Sequence, residues 1–422
     1  MQLFWRKRGD SNPRYSYPYG SLANCWFQPL THTSRCFGEI GCKYTRLFLT
    51  CQRKVDILSG FFIHLQLLLL PTVIYMKKEQ SKKRNKSLYW VIGILFLVVV
   101  FSGVYLYSVI FKPVQLNETV YVYIDSQTNY EAVVRQLKEK KALSSERIFD
   151  LLARQMKYPQ AVKTGRYAVT DGMNILDVLR TLRSGKQAPV NLTFNNIRTK
   201  ENLAGRLSQQ LMADSLSILD VLEDEEKALS FGFNEYTFVA MFLPNTYEVY
   251  WDTSVDRLFE RMHREYTVFW NDERKNKASA IGLSPVEVST LASIVEEEAT
   301  FADEYPVVAG LYLNRLNKGM RLEADPTVKF AVGDFSLRRI LYRHLEIESP
   351  YNTYKHTGLP PGPIRVPSIQ AIEAVLSPQQ HSYLFMCAKD DLSGRHNFAV
   401  THAEHARNAA RYQRALNERG IF

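Results

Sequence analysis

Between residues 283 and 300 the chain reads LSPVEVSTLASIVEEEAT, and its apolar positions recur every three or four residues. Val288, Leu291, Ile294 and Val295 thereby define one buried stripe of a helix. Ser284 suits the N-cap, Pro285 the first helical position, and Glu287 completes a Ser-x-x-Glu capping box. The consecutive carboxylates at the far end fall on different faces. Glu296 and Glu297 lie on the flanks, whereas Glu298, three after Val295 and four after Ile294, continues the apolar stripe. A carboxyl held against apolar surroundings keeps its proton near neutral pH, which is what a general acid requires. The competing reading puts Glu298 at a solvated helix end, capping or ion-paired, as most such residues are.

The same patterning organises the rest of the chain. Leu88–Phe111 carries no charge over 24 residues, enough to cross a hydrocarbon core of about 30 Å. Aromatics gather at both of its ends, as membrane interfaces favour, and Tyr105, Tyr107 and Phe111 do not suit a cleaved signal peptide, which ends in small residues. Lys77, Lys78, Lys82, Lys83, Arg84 and Lys86 crowd the positions before the span. They predict a cytoplasmic segment at 76–87, a membrane helix at 88–111, and everything after residue 112 on the outer face of a bacterial inner membrane. Alternation at Val120, Val122 and Ile124 predicts a strand, followed by amphipathic helices at 129–138 and 144–156. A second strand is expected at Gly165–Val169 and a helix at 173–182, closed by Gly185. Residues 112–188 thus read as a small α+β module, either a sugar-binding unit or a spacer. A larger α+β domain is expected over 189–422, beginning at Val190–Phe194, with a strand in PNTYEVYW (244–251). Its expected helices are 199–212, 255–270 and 302–320, besides the one ending at Glu298.

Residues 1–75 are unlike the rest. They are rich in Arg, Cys and aromatics without periodicity, and Met76 opens MKKEQSKKRNK, a natural bacterial N-terminus. Translation is therefore expected to start at Met76, the preceding residues being an overrun. Four cysteines fall in the first 51 residues and only Cys387 beyond, so the body of the protein forms no internal disulfide. A net charge of +10 is concentrated before the span rather than in an aromatic-interleaved patch, which disfavours nucleic-acid binding.

Three further stretches carry residues of chemical interest. RLEADPTV (321–328) sets Asp325 before Pro326, which predicts an extended backbone at Asp325 and offers a second carboxylate to Glu298. SPYNTYKHTGLPPGPI (349–364) places Tyr351, Asn352 and Tyr354 in a loop stiffened by four prolines. SGRHNFAVTHAEH (393–405) collects His396, His402 and His405, but no spacing there matches a known metal-ligand motif, so neither metal nor cofactor is expected. Nucleophile elbows, P-loops and dinucleotide fingerprints are likewise missing from the sequence.

In order along the chain, the single span, GRYAVTDGMNILDVLRTLRSGK, LPNTYEVY, LASIVEEEA, VVAGLYLNRLNKGMRLEADPTV, SPYNTYKHTGLPPGPI and the terminal HNF…H segment resemble the endolytic murein transglycosylase, or YceG-like, family. The resemblance runs from Met76 to the C-terminus. It implies a lyase that cuts peptidoglycan glycan strands internally, leaving 1,6-anhydroMurNAc ends, with the second Glu of an Ile-Val-Glu-x-Glu motif as acid and base. That residue is Glu298. It also implies a LysM-like character for residues 112–188, cleft roles for Asp325, Asn352 and Tyr354, and peptidoglycan synthases as partners. Departures fall at Ala299, where Thr is usual, at LTFNNIRTKEN, which lacks a Pro-Glu-Gly turn, and at RVPS (365–368), where something nearer Asn-Pro-Gly is expected. A hydrolytic muramidase and a non-catalytic glycan-binding scaffold are the alternatives.

Overall fold

The computed structural model describes residues 86–337 and 339–420. The expected overrun at 1–75, the Met76 start and most of the basic segment lie outside the described residues. A long apolar helix, α1 (Lys86–Ile110), comes first; Leu88–Ile110 is 23 residues with a mean hydropathy of 2.3.

Past it the chain is mixed α+β, with each small sheet a two-stranded antiparallel ribbon. Ribbons this small have too little surface to be stable alone, so helices must supply the cores. In the first unit β1 (Val120–Ile124) pairs with β2 (Gly165–Val169), Val122 facing Tyr167. Helices α2 (Tyr130–Glu139), α3 (Glu146–Gln155) and α4 (Ile175–Ser184) bury Val133, Leu137, Phe149, Val178 and Leu182 beneath that ribbon. Local chemistry sets their ends: Asn129 caps α2, an Asn174–Asp177 capping box starts α4, and Gly185 stops it at φ +77°.

The second core gathers on β3 (Val190–Thr193) and β4 (Thr246–Val249), which pair antiparallel. Helices α5 (Lys200–Ser208), α6 (Ser215–Glu223), α7 (Glu225–Ser230) and α8 (Val255–Phe269) surround a cluster that includes Phe194, Phe238, Phe242 and Phe259. Asp252 ties this core to the first unit, accepting from the Thr164 hydroxyl at 2.7 Å and the Gln187 amide at 2.9 Å.

The third core belongs to α9 (Asp272–Ala280), α10 (Pro285–Glu298), α11 (Tyr305–Asn317), α12 (Asp325–Val332), the short α13 (Tyr342–Leu345) and α14 (Ile369–Leu376). Helix α10 begins with the expected capping box, and Val288, Leu291, Ile294 and Val295 are all fully buried. The chain closes with β5 (Phe385–Ala388) paired to β6 (His396–Ala399), and α15 (His402–Glu418) packed on that hairpin. Strand β3, helices α6, α7, α9 and α12 to α15, and this hairpin were not legible as elements in the sequence.

One backbone expectation is corrected. Asp325 is the first residue of α12, and the extended residue is Ala324, at φ −91° and ψ 115°. Proline's missing N–H costs nothing at the second helical position, where no intrahelical acceptor exists. The Thr327 hydroxyl and N–H both return to the Ala324 carbonyl, closing the turn.

The rigid loop meets the second core at Gly362. A Cβ there would lie 2.1 Å from the Tyr236 carbonyl oxygen, a backbone atom that cannot step aside. Gly362→Ala is expected to cost about 1–3 kcal/mol through overpacking, read as a lowered urea midpoint at unchanged slope. A neutral result would mean the loop does not hold this contact in solution.

Candidate active site

The end of α10 carries three carboxylates where a helix disfavours negative charge, because its last carbonyls point outward. The surroundings treat them differently. Glu297 accepts from Arg198 Nε and Nη2 at 2.9 and 3.0 Å and from Arg365 Nη1 at 2.8 Å. Glu296 accepts from the Ser368 N–H at 2.6 Å and lies 3.4 Å from Arg365. Glu298 has no cation partner among the described residues. It keeps some surface towards a cleft, but its Oε2 is covered and without a hydrogen-bond partner.

Burial therefore pushes the Glu298 carboxyl up to about 7, and the charge of Asp325 adds to this. A hydrogen bond from Tyr312 and the charge of Arg315 pull weakly the other way. Arg315 forms no ion pair with it, and its Nε and Nη1 are engaged elsewhere. It donates to the backbone carbonyls of Leu384 at 2.6 Å, Leu322 at 2.9 Å and Arg321 at 3.0 Å, and to Glu323 at 3.1 Å. Glu323 itself sits at φ +49°, a left-handed backbone unusual outside glycine, of the kind that marks functional sites.

Glu298 opens into a cavity of about 500 Å³, within the size range of small-ligand sites. Asp325 and Tyr354 line the same cavity, and the Tyr354 hydroxyl donates to Asp325 Oδ1 at 2.7 Å. Burial and that carboxylate raise the Tyr354 phenol well above its usual value, so it stays a donor. Asn352 is not in the cavity. It is fully buried, its amide nitrogen donating to the Leu345 and Ile347 carbonyls at 2.9 Å each and its oxygen accepting from the Tyr354 N–H at 3.0 Å. All of its nearby partners are backbone groups, so it pins the loop that carries Tyr354.

Sequence reasoning overlooked Tyr312 and Arg315 on α11 and set the histidines aside. The structure brings His396, His402 and His405 to the wall of this cavity, with Phe385 beside them. His396 is clamped by Glu304, which accepts its N–H at 3.1 Å and meets its Nδ1 at 3.0 Å. The three-residue step from His402 to His405, which puts both on one helix face, was the signal available.

A sequence profile of the YceG-like family matches residues 122–411. Over 344 residues the chain is 28% identical to an endolytic murein transglycosylase of Bacillus subtilis, covering 76% of this chain and 93% of that protein. It is 25% identical to an endolytic murein transglycosylase of Streptococcus pneumoniae R6, covering 71% of this chain but 60% of the pneumococcal protein. A crystal structure of a YceG-like protein from Listeria monocytogenes is 27% identical, with a TM-score of 0.48, covering 69% of this chain and all but 1% of that one.

The carboxyl environment has a thermodynamic signature. Between its ordinary value of 4.5 and about 7, Glu298 keeps a proton in the folded protein that the unfolded chain has released. Stability therefore falls as pH rises through that window, by on the order of 3 kcal/mol in total. Glu298→Gln cannot ionise, so it is expected to match the parent near pH 4.5 and to gain on it progressively up to pH 7–8. Urea unfolding across that range checks this; parallel curves at every pH would show that Glu298 is not desolvated.

Proposed function

The chain belongs to the YceG-like family, and from that premise we propose that it is a membrane-anchored lytic transglycosylase that cuts peptidoglycan glycan strands internally. The observation that carries the reading is Glu298: a carboxyl on the wall of a cleft, without an ion-pair partner among the described residues, holding its proton near neutral pH. In this reading α1 is a single span in the inner membrane, the cleft works outside the cytoplasm, and residues 112–188 form a LysM-like unit that touches glycan. Wall-synthesis enzymes are the corresponding partners.

The chemistry needs one acid that becomes a base. The Glu298 carboxyl gives its proton to the glycosidic oxygen as the bond from MurNAc C1 breaks, releasing the GlcNAc 4-hydroxyl. The resulting carboxylate takes the proton of the MurNAc 6-hydroxyl while O6 closes on C1. Glu298 ends protonated, no water is consumed, and a 1,6-anhydroMurNAc end remains. Asp325, held by Tyr354, supplies negative charge near the cationic sugar that forms on bond cleavage. Asn352 acts at one remove by fixing the Tyr354 backbone. Because Asp325 lies within electrostatic reach of Glu298, a hydrolase using two carboxylates is the second reading.

Digestion of uncrosslinked glycan strands, read by mass spectrometry, tests both. Internal fragments lighter by one water are expected; ordinary reducing ends would mean hydrolysis instead. Glu298→Gln should lower turnover about 10²–10⁴-fold, whereas Glu296→Gln, whose side chain can still accept from Ser368, should keep most of it. The parent's kcat/KM should fall as pH rises through about 7, as Glu298 loses its proton. A folded Glu298→Gln with full turnover would rule out the acid–base assignment.

A further inference from the structure

Besides the Asp325–Tyr354 pair, the cavity has lining that the catalytic scheme does not use. Phe385 on β5 stacks on the His405 ring, with centroids 5.6 Å apart and planes inclined by 25°. His402 meets Phe385 edge-on at 5.9 Å, and Met386 and Leu311 line the same cavity. The imidazole of His405 is thus fixed in orientation by packing rather than by hydrogen bonds. Its Nδ1 is covered and has no hydrogen-bond partner among the described residues, which leaves Nε2 as the ring nitrogen that meets the cavity.

That asymmetry decides the tautomer. A buried N–H with no acceptor is among the rarest features of folded proteins, rarer than an acceptor left without a donor. The proton of the neutral ring therefore belongs on Nε2, where the cavity can supply an acceptor. Burial, together with the charges of His402 and Arg315, lowers the proton affinity of His405 and keeps it neutral, against the opposing pull of Glu323. The wall consequently offers one neutral N–H donor beside apolar surface.

This combination suits a neutral acceptor carrying a small apolar group. An anion fits poorly beside His405, because Glu298, Asp325 and Glu323 already line the cavity, and Nε and Nη1 of Arg315 are taken up by carbonyls and Glu323. We propose that this wall is a recognition subsite for the acetamido group of an N-acetylhexosamine, its carbonyl oxygen accepting from His405 Nε2–H and its methyl resting on Phe385 and Met386. His405 is then a specificity-determining residue that reads N-acetylation. The inference rests on the glycan-cutting reading above and names the substrate feature that the site selects.

The test uses the full chain in detergent with two substrates, uncrosslinked strands with their acetyl groups intact and the same strands after N-deacetylation. The readout is the ratio of kcat/KM between them. The parent should favour acetylated strands, and His405→Ala should reduce the ratio about fivefold to tenfold, the worth of one neutral hydrogen bond. His405→Gln, which can present an amide N–H to the same carbonyl, should recover most of it. It also guards against an Ala variant that fails to fold. Equal loss on both strands would show a purely structural role and overturn the subsite. A parent ratio of one would overturn it as well, while leaving the transglycosylase reading intact. Cleavage of neither strand by the parent would overturn both readings together.

Discussion

A helix terminus that must carry negative charge is the constraint on which this site depends. The last turn of α10 presents three carboxylates to its own outward carbonyls, an arrangement that is unfavourable unless cations or protons offset it. Arg198 and Arg365 do so for Glu297, and Arg365 with the Ser368 N–H does so for Glu296. Glu298 is offset by a proton instead. The paired neighbours lock the end of the helix onto the loops at 196–198 and 365–368, and that lock fixes the direction in which Glu298 points.

The walls of the cleft obey a similar economy of partners. Arg315 lies in the third core, almost wholly buried, yet its bonds reach the turn at 321–323 and the carbonyl just before β5. One guanidinium thereby holds the two sides of the cavity at a set separation. Its Nε and Nη1 go to backbone carbonyls and to Glu323, so the same residue shapes the cleft without forming an ion pair to Glu298.

What the sequence made legible was local. The capping box at Ser284, the buried stripe of α10 and the place of Glu298 on that stripe follow from three- and four-residue spacing, the strand β1 from two-residue alternation, and the apolar helix α1 from its uncharged length. What stayed hidden depended on distant partners. Nothing near Asn352 shows that its amide is used up by Leu345 and Ile347 rather than offered to a ligand. Arg365 stands where the family resemblance led one to expect something else, and its role appears only when Glu297 and Arg198 are brought to it. The histidines were visible as a cluster, but only the β5–β6 hairpin carries them across to a helix about a hundred residues earlier. Asp325 was misread because the steric rule before proline was applied without the helix start that accommodates it.

The way the cleft is assembled also bears on when the chain can become chemically competent. The cavity onto which Glu298 opens is walled by segments as distant as Leu384 and His405, which must be brought back across a long stretch of chain before they pack. A carboxyl that still faces water is an ordinary, ionised glutamate with no proton to give. In the proposed scheme, a copy whose C-terminal hairpin has not yet packed lacks the walled cavity in which that acid would work.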